Sequence, residues 1–121
     1  MINLNDGLKH ISAKDLQDLM KIEEVVIIDI REQFEIDITS VPKTVNIPMI
    51  VVMNNYKDIL KKDQKYYILC HTGQRSYYLT KMLTEQGYNI VNAFGGITLM
   101  NEYYIHYWFV VKVIYDFLIN I

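Results

Sequence analysis

The first 102 residues alternate short apolar runs with segments in which apolar side chains recur every three or four positions, and this alternation leaves few folds open. Residues 25–28, 45–47, 66–70 and 89–94 are too short for helices. They are rich in β-branched or aromatic side chains and mostly lack polar alternation, so they read as strands buried on both faces. Between them the period lengthens. Ser12 and Asp15 are spaced like a capping box, and Leu16, Leu19 and Met20 then share one helix face. Val52, Tyr56, Ile59 and Leu60 recur at helical spacing, as do Leu79, Met82, Leu83 and Gln86, with Gly87 at the expected helix stop. Residues 30–44 read as short helix or irregular chain. Strand and helix in turn predict an α/β fold, a parallel sheet flanked by helices on both faces. In such sheets ligands gather at the carboxyl ends of the strands, which selects Asp29, Cys70 and Phe94-Gly95-Gly96.

A chain of 121 residues holds one compact core and not two ordinary ones. The net charge of −2 and scattered lysines give no basic stripe for nucleic acid. The residues after Met1 show neither a basic n-region nor an apolar h-region, so no secretory signal is expected. The single cysteine cannot form an internal disulfide. A thiol used as such suits a reducing compartment, and the cytoplasm is expected. No His/Asp/Glu group has metal-ligand spacing, and His10 and His106 read as ordinary hydrogen-bonding residues.

The segment Cys70-His71-Thr72-Gly73-Gln74-Arg75-Ser76 joins a predicted strand to a predicted helix. A loop wrapping back around the sulfur would point backbone N–H groups at it, and the helix N-terminus adds to the same field. Gly73 permits backbone conformations closed to other residues, and Arg75 adds a positive charge near the loop. Each feature favours thiolate over thiol and makes Cys70 a nucleophile. The same cradle would stabilise an anionic substrate or leaving group. Ser76 can cap the helix or hydrogen-bond within the loop. A lone cysteine ending an apolar strand is more often an inert buried thiol; the glycine, arginine and serine that follow it turn the balance.

This Cys-x-x-Gly-x-Arg-Ser pattern resembles the active-site loop of rhodanese domains. Asp29-Ile30-Arg31-Glu32-Gln33-Phe34-Glu35 is similar to that family's Asp-Val-Arg-Glu-x-x-Glu segment, and Val45-Asn46-Ile47-Pro48 to its Ile-Asn-Ile-Pro. Gly87-Tyr88 through Gly95-Gly96-Ile97 resembles its closing motif. The four pieces occur in order across residues 8–102. The resemblance implies a five-stranded parallel sheet and a two-step sulfur transfer. Cys70 would take a sulfane sulfur from a small donor such as thiosulfate and hand it, as a persulfide, to a thiol or protein acceptor, with no cofactor. It casts residues 71–76 as the substrate-binding loop and His71 as a specificity or loop-wall residue. Asp29, Arg31, Gly95 and Gly96 become supports of the site. Asp29 and Arg31 read better as a structural ion pair than as pocket lining.

Two other functions compete. Related phosphatases and arsenate reductases enclose an oxyanion with Cys-x5-Arg, whereas only four residues separate Cys70 from Arg75; the smaller ring suits a sulfur atom. A non-catalytic binding module of this fold would often lack the cysteine. The chain also departs from the family pattern. Where Gly-His-Ile-Pro-Gly-Ala is common it has Thr39-Ser40-Val41-Pro42-Lys43-Thr44, so that loop is expected to be stiffer or differently routed. Met100 stands where a tryptophan is common.

Residues 103–121 lie beyond the resemblance and are nearly all aromatic or aliphatic, with Lys112, Asp116 and Asn120 as a narrow polar stripe. Membrane insertion would gain roughly 3–6 kcal/mol from the apolar side chains and lose roughly 5–7 kcal/mol on the two central charges. A helix packed on the 1–102 domain or across a homodimer is therefore expected instead.

Overall fold

The computed structural model describes residues 4–100 and 113–120. Its sheet has five strands, β1 (Lys9–Ser12), β2 (Val26–Asp29), β3 (Val45–Asn46), β4 (Lys65–Leu69) and β5 (Asn89–Phe94), in the order β1-β5-β4-β2-β3. All neighbours run parallel. The four strands expected from the apolar runs are present within a residue. β1 carries no such run: Lys9-His10-Ile11-Ser12 is an edge strand paired only with β5, so it needs little apolar character on its outer side.

The helices are α1 (Ala13–Leu19), α2 (Gln33–Ile38), α3 (Met49–Ile59) and α4 (Gln74–Glu85), and a 3₁₀ turn covers Gly96–Leu99. Alternate residues of each strand feed two cores. Ile27, Leu69 and Ala93 pack with Leu16 of α1 and Ile97 of the turn. Ile28, Ile68 and Ile90 pack on the other face with Val52 of α3 and with Leu79 and Leu83 of α4. Burying both faces explains the uninterrupted apolar runs. Ser12 caps α1 by accepting the Asp15 N–H at 3.0 Å. The reciprocal capping box forms at α2, between Glu32 and Glu35.

The loop at 39–44 keeps a left-handed residue without a glycine: Lys43 has φ 63°, the one positive φ outside glycine among the described residues. Beyond the domain, residues 113–119 form a helix. Its apolar side chains are exposed, Phe117 and Leu118 by more than half. No helix among the described residues is long and apolar enough to cross a membrane.

Candidate active site

β2 leads outward to β3 while β4 leads the other way to β5, so the topological switch lies between the carboxyl ends of β2 and β4. Cys70 directly follows β4, one residue beyond the strand, and the chain from Cys70 to Ser76 folds over its sulfur. The Gly73 N–H donates to Cys70 Sγ at 3.1 Å and the Ser76 N–H at 3.4 Å. The thiol in turn faces Ser76 Oγ at 3.4 Å, while the Ser76 hydroxyl donates to the Gly73 carbonyl at 3.1 Å. Ser76 thus hydrogen-bonds within the loop. The helix N-cap is Gly73, in the left-handed region at φ 94°. Donors aimed at one sulfur at the start of a 12-residue helix favour negative charge there. Cys70 itself has no exposed surface. His71, Thr72 and Gln74 form the exposed outer side of the loop.

The loop is held from below by the turn after β5. The Ile97 and Thr98 N–H groups donate to the Cys70 and His71 carbonyls at 3.0 and 3.2 Å. That approach requires glycine twice. A Cβ on Gly96 would overlap the Cys70 and His71 carbonyl oxygens, and one on Gly73 would lie 2.6 Å from the Gly95 nitrogen.

Arg75 does not stand free over the sulfur. Its NH1 and NH2 donate to the two oxygens of Glu35 at 2.8 and 2.7 Å, a bidentate pair across 40 residues of sequence. These hydrogen bonds, ahead of the direct charge attraction, hold the Glu35 carboxyl down at about 2 and push the Arg75 guanidinium up, with smaller help from Cys70 and Asp29. Glu35 belongs to the acidic segment after β2, yet nothing local in the sequence marks it as a partner of the loop; the ion pair itself joins α2 to α4.

Asp29 and Arg31 form a second, buried pair. Arg31 donates its backbone N–H, Nε and NH2 to the Asp29 carboxylate at 2.9–3.2 Å and reaches Thr39 through NH1 and NH2. Asn46 Nδ2 bonds the Asp29 and Arg31 carbonyls at 2.8 and 2.9 Å. The hydrogen bonds of this pair tie β2 to α2, through the Glu35 carbonyl and Thr39, and to β3 through Asn46. His10 lies elsewhere, between Asp6 and Asn92 at 3.1 and 3.2 Å and stacked on Tyr77. His106 falls outside the described residues.

The family model for the rhodanese-like domain matches residues 12–102. YtwF of Bacillus subtilis is 35% identical over 91 residues, covering 74% of this chain and 87% of its own. A sulfurtransferase of Allochromatium vinosum is 35% identical over 82 residues, with 67% and 76% covered. Among solved structures, a rhodanese-related protein of Thermoplasma volcanium is 36% identical with a TM-score of 0.65, covering 74% of this chain and 86% of that one. A sheet with this order, a cysteine loop at its switch point and a match across three quarters of the chain lead to one assignment: the chain belongs to the rhodanese-like domain family.

Proposed function

We propose that the protein is a sulfurtransferase in which Cys70 carries a sulfane sulfur as a persulfide. The Cys70 thiolate attacks the outer sulfur of a donor such as thiosulfate, the donor's S–S bond breaks, and its electron pair leaves with the sulfite. An acceptor thiol then removes the outer sulfur and restores the thiolate. The observation that carries this reading is the pair of amide donors from Gly73 and Ser76 on Cys70 Sγ. It is supported by sulfurtransferase relatives of similar length. Asp29, Arg31, Gly95 and Gly96 act as supports of the loop, and a reducing, cytoplasmic setting suits a free thiol.

Because Cys70 is covered, loading requires the outer loop residues to part by about the width of one sulfur atom. Incubation with thiosulfate is expected to add one sulfur atom to the intact mass of the protein and to support thiocyanate formation with cyanide; Cys70→Ser abolishes both. A wild-type protein that gains no sulfur and makes no thiocyanate sinks the proposal.

A further inference from the structure

We propose that Glu35 determines which sulfur donor the site accepts: by occupying Arg75 it leaves the loop mouth without free positive charge among the described residues, so an organic persulfide, R–S–SH, is preferred over the thiosulfate dianion. The inference rests on the Cys70 persulfide reading above and concerns the identity of the donor.

A dianion entering a site closed from water needs a countercharge as well as amide dipoles. Within the loop, Arg75 carries the one fixed positive charge, and both its terminal nitrogens are committed to opposite oxygens of Glu35. The carboxylate cannot easily swing away, because its Oε2 also accepts the Glu32 N–H at 2.8 Å as half of the α2 capping box. Guanidinium and carboxylate together present no net charge to an incoming ion. The other outward side chains, His71, Thr72 and Gln74, add no fixed charge. The Arg31 charge is consumed by Asp29. Leu99, whose side chain lies against Gly95, the residue that Gly73 abuts, is 45% exposed, and such apolar surface suits the carbon skeleton of a thiol-derived donor.

The loading step balances without an oxidant: Cys70–S⁻ + R–S–SH gives Cys70–S–SH + R–S⁻. A bond forms between Cys70 Sγ and the terminal sulfur, the bond from that sulfur to R–S breaks, and its electron pair leaves on the thiolate. The proton stays on the transferred sulfur.

Single-turnover loading of the full chain, followed by intact mass, tests this with thiosulfate and with 2-hydroxyethyl persulfide, whose carbon skeleton carries no charge, each rate normalised to the same donor reacting with a small free thiol. One unit of missing countercharge close to the sulfur predicts a preference of about tenfold for the persulfide. Thiosulfate loading should change less than about twofold between low and high ionic strength, as expected where no net charge attracts the donor. Glu35→Gln retains an oxygen for the Glu32 N–H and removes the charge that neutralises Arg75. It should raise thiosulfate loading about fivefold or more and make it salt-sensitive, with persulfide loading nearly unchanged. Wild-type thiosulfate loading that falls steeply with salt overturns the proposal, as does a donor ratio that Glu35→Gln leaves unmoved. If the variant fails to fold, the wild-type salt dependence decides alone. Absence of a sulfur adduct from either donor overturns the sulfurtransferase reading as well, and so is told apart from a failure of donor preference alone.

Discussion

The hydroxyl of Ser76 has one proton and two acceptors within reach, the Gly73 carbonyl at 3.1 Å and the Cys70 sulfur at 3.4 Å. With a thiol at Cys70, the S–H points at Ser76 Oγ and the hydroxyl proton serves Gly73. Once the sulfur is ionised, the same proton can turn to it as a third donor. Ser76→Ala is expected to cost about 1 kcal/mol of stability in urea unfolding and to slow sulfur loading several-fold in single-turnover mass measurements. Gly96→Ala acts differently. It forces a Cβ against two carbonyl oxygens at φ 57°, so a loss of about 2–3 kcal/mol is expected. At this scale the sequence was most informative where partners are close along the chain. Cys70, Gly73 and Ser76 are brought together by the turn that the sequence implies. Glu35 pairs with Arg75 across 40 positions, which no local spacing decides, and the complete burial of Cys70 comes from the core that surrounds it.

Two elements show how local deviations are absorbed. The loop before β3 lacks the glycine common in the family, yet Lys43 adopts the left-handed conformation anyway, at a cost of about 1–2 kcal/mol for a residue with a Cβ. Part of that cost returns as greater chain freedom in the unfolded state when glycine is restored. Lys43→Gly is therefore expected to stabilise the protein by roughly 0.5–1 kcal/mol, read as a higher urea midpoint with an unchanged slope. In α2, Glu35 has its carboxyl held at about 2 against an ordinary 4.5. Between those values the unfolded chain binds more protons than the folded one, so stability rises with pH there. The contribution is complete above about pH 5 and is lost as the pH falls toward 2. Asp6, held near 2 chiefly by a hydrogen bond from Tyr77, adds to the same acid limb. Unfolding titrations of Glu35→Gln should show a shallower loss below pH 4.5. The α2 capping box was not anticipated because residues 30–44 show no sustained apolar period, and no residue of α2 is buried. The edge strand β1 escaped for a related reason, since one-sided pairing asks little of its side chains.

Among the described residues, the helix beyond the domain presents an apolar surface that composition already foreshadowed. The helix at 113–119 displays Val113, Ile114, Tyr115, Phe117, Leu118 and Ile119 to solvent, an apolar patch of the kind that marks an interaction surface. We expect a second copy of the chain to cover it. Sedimentation of the full chain should then report a dimer, and removal of residues 113–121 a monomer that still loads sulfur. A chain that stays monomeric and instead pellets with phospholipid vesicles would place that helix on a bilayer surface.

β5, the last of the described strands in chain order, inserts between β1 and β4, and the turn after it supplies the amides that hold the Cys70 and His71 carbonyls. During translation, therefore, Cys70 emerges well before the parts that shape its surroundings. Until residues 90–98 arrive, the loop lacks the amides that hold its Cys70 and His71 carbonyls. Synthesis order thus sets when the loop can close, because its carbonyls find their partners only after β5 and the turn behind it are made.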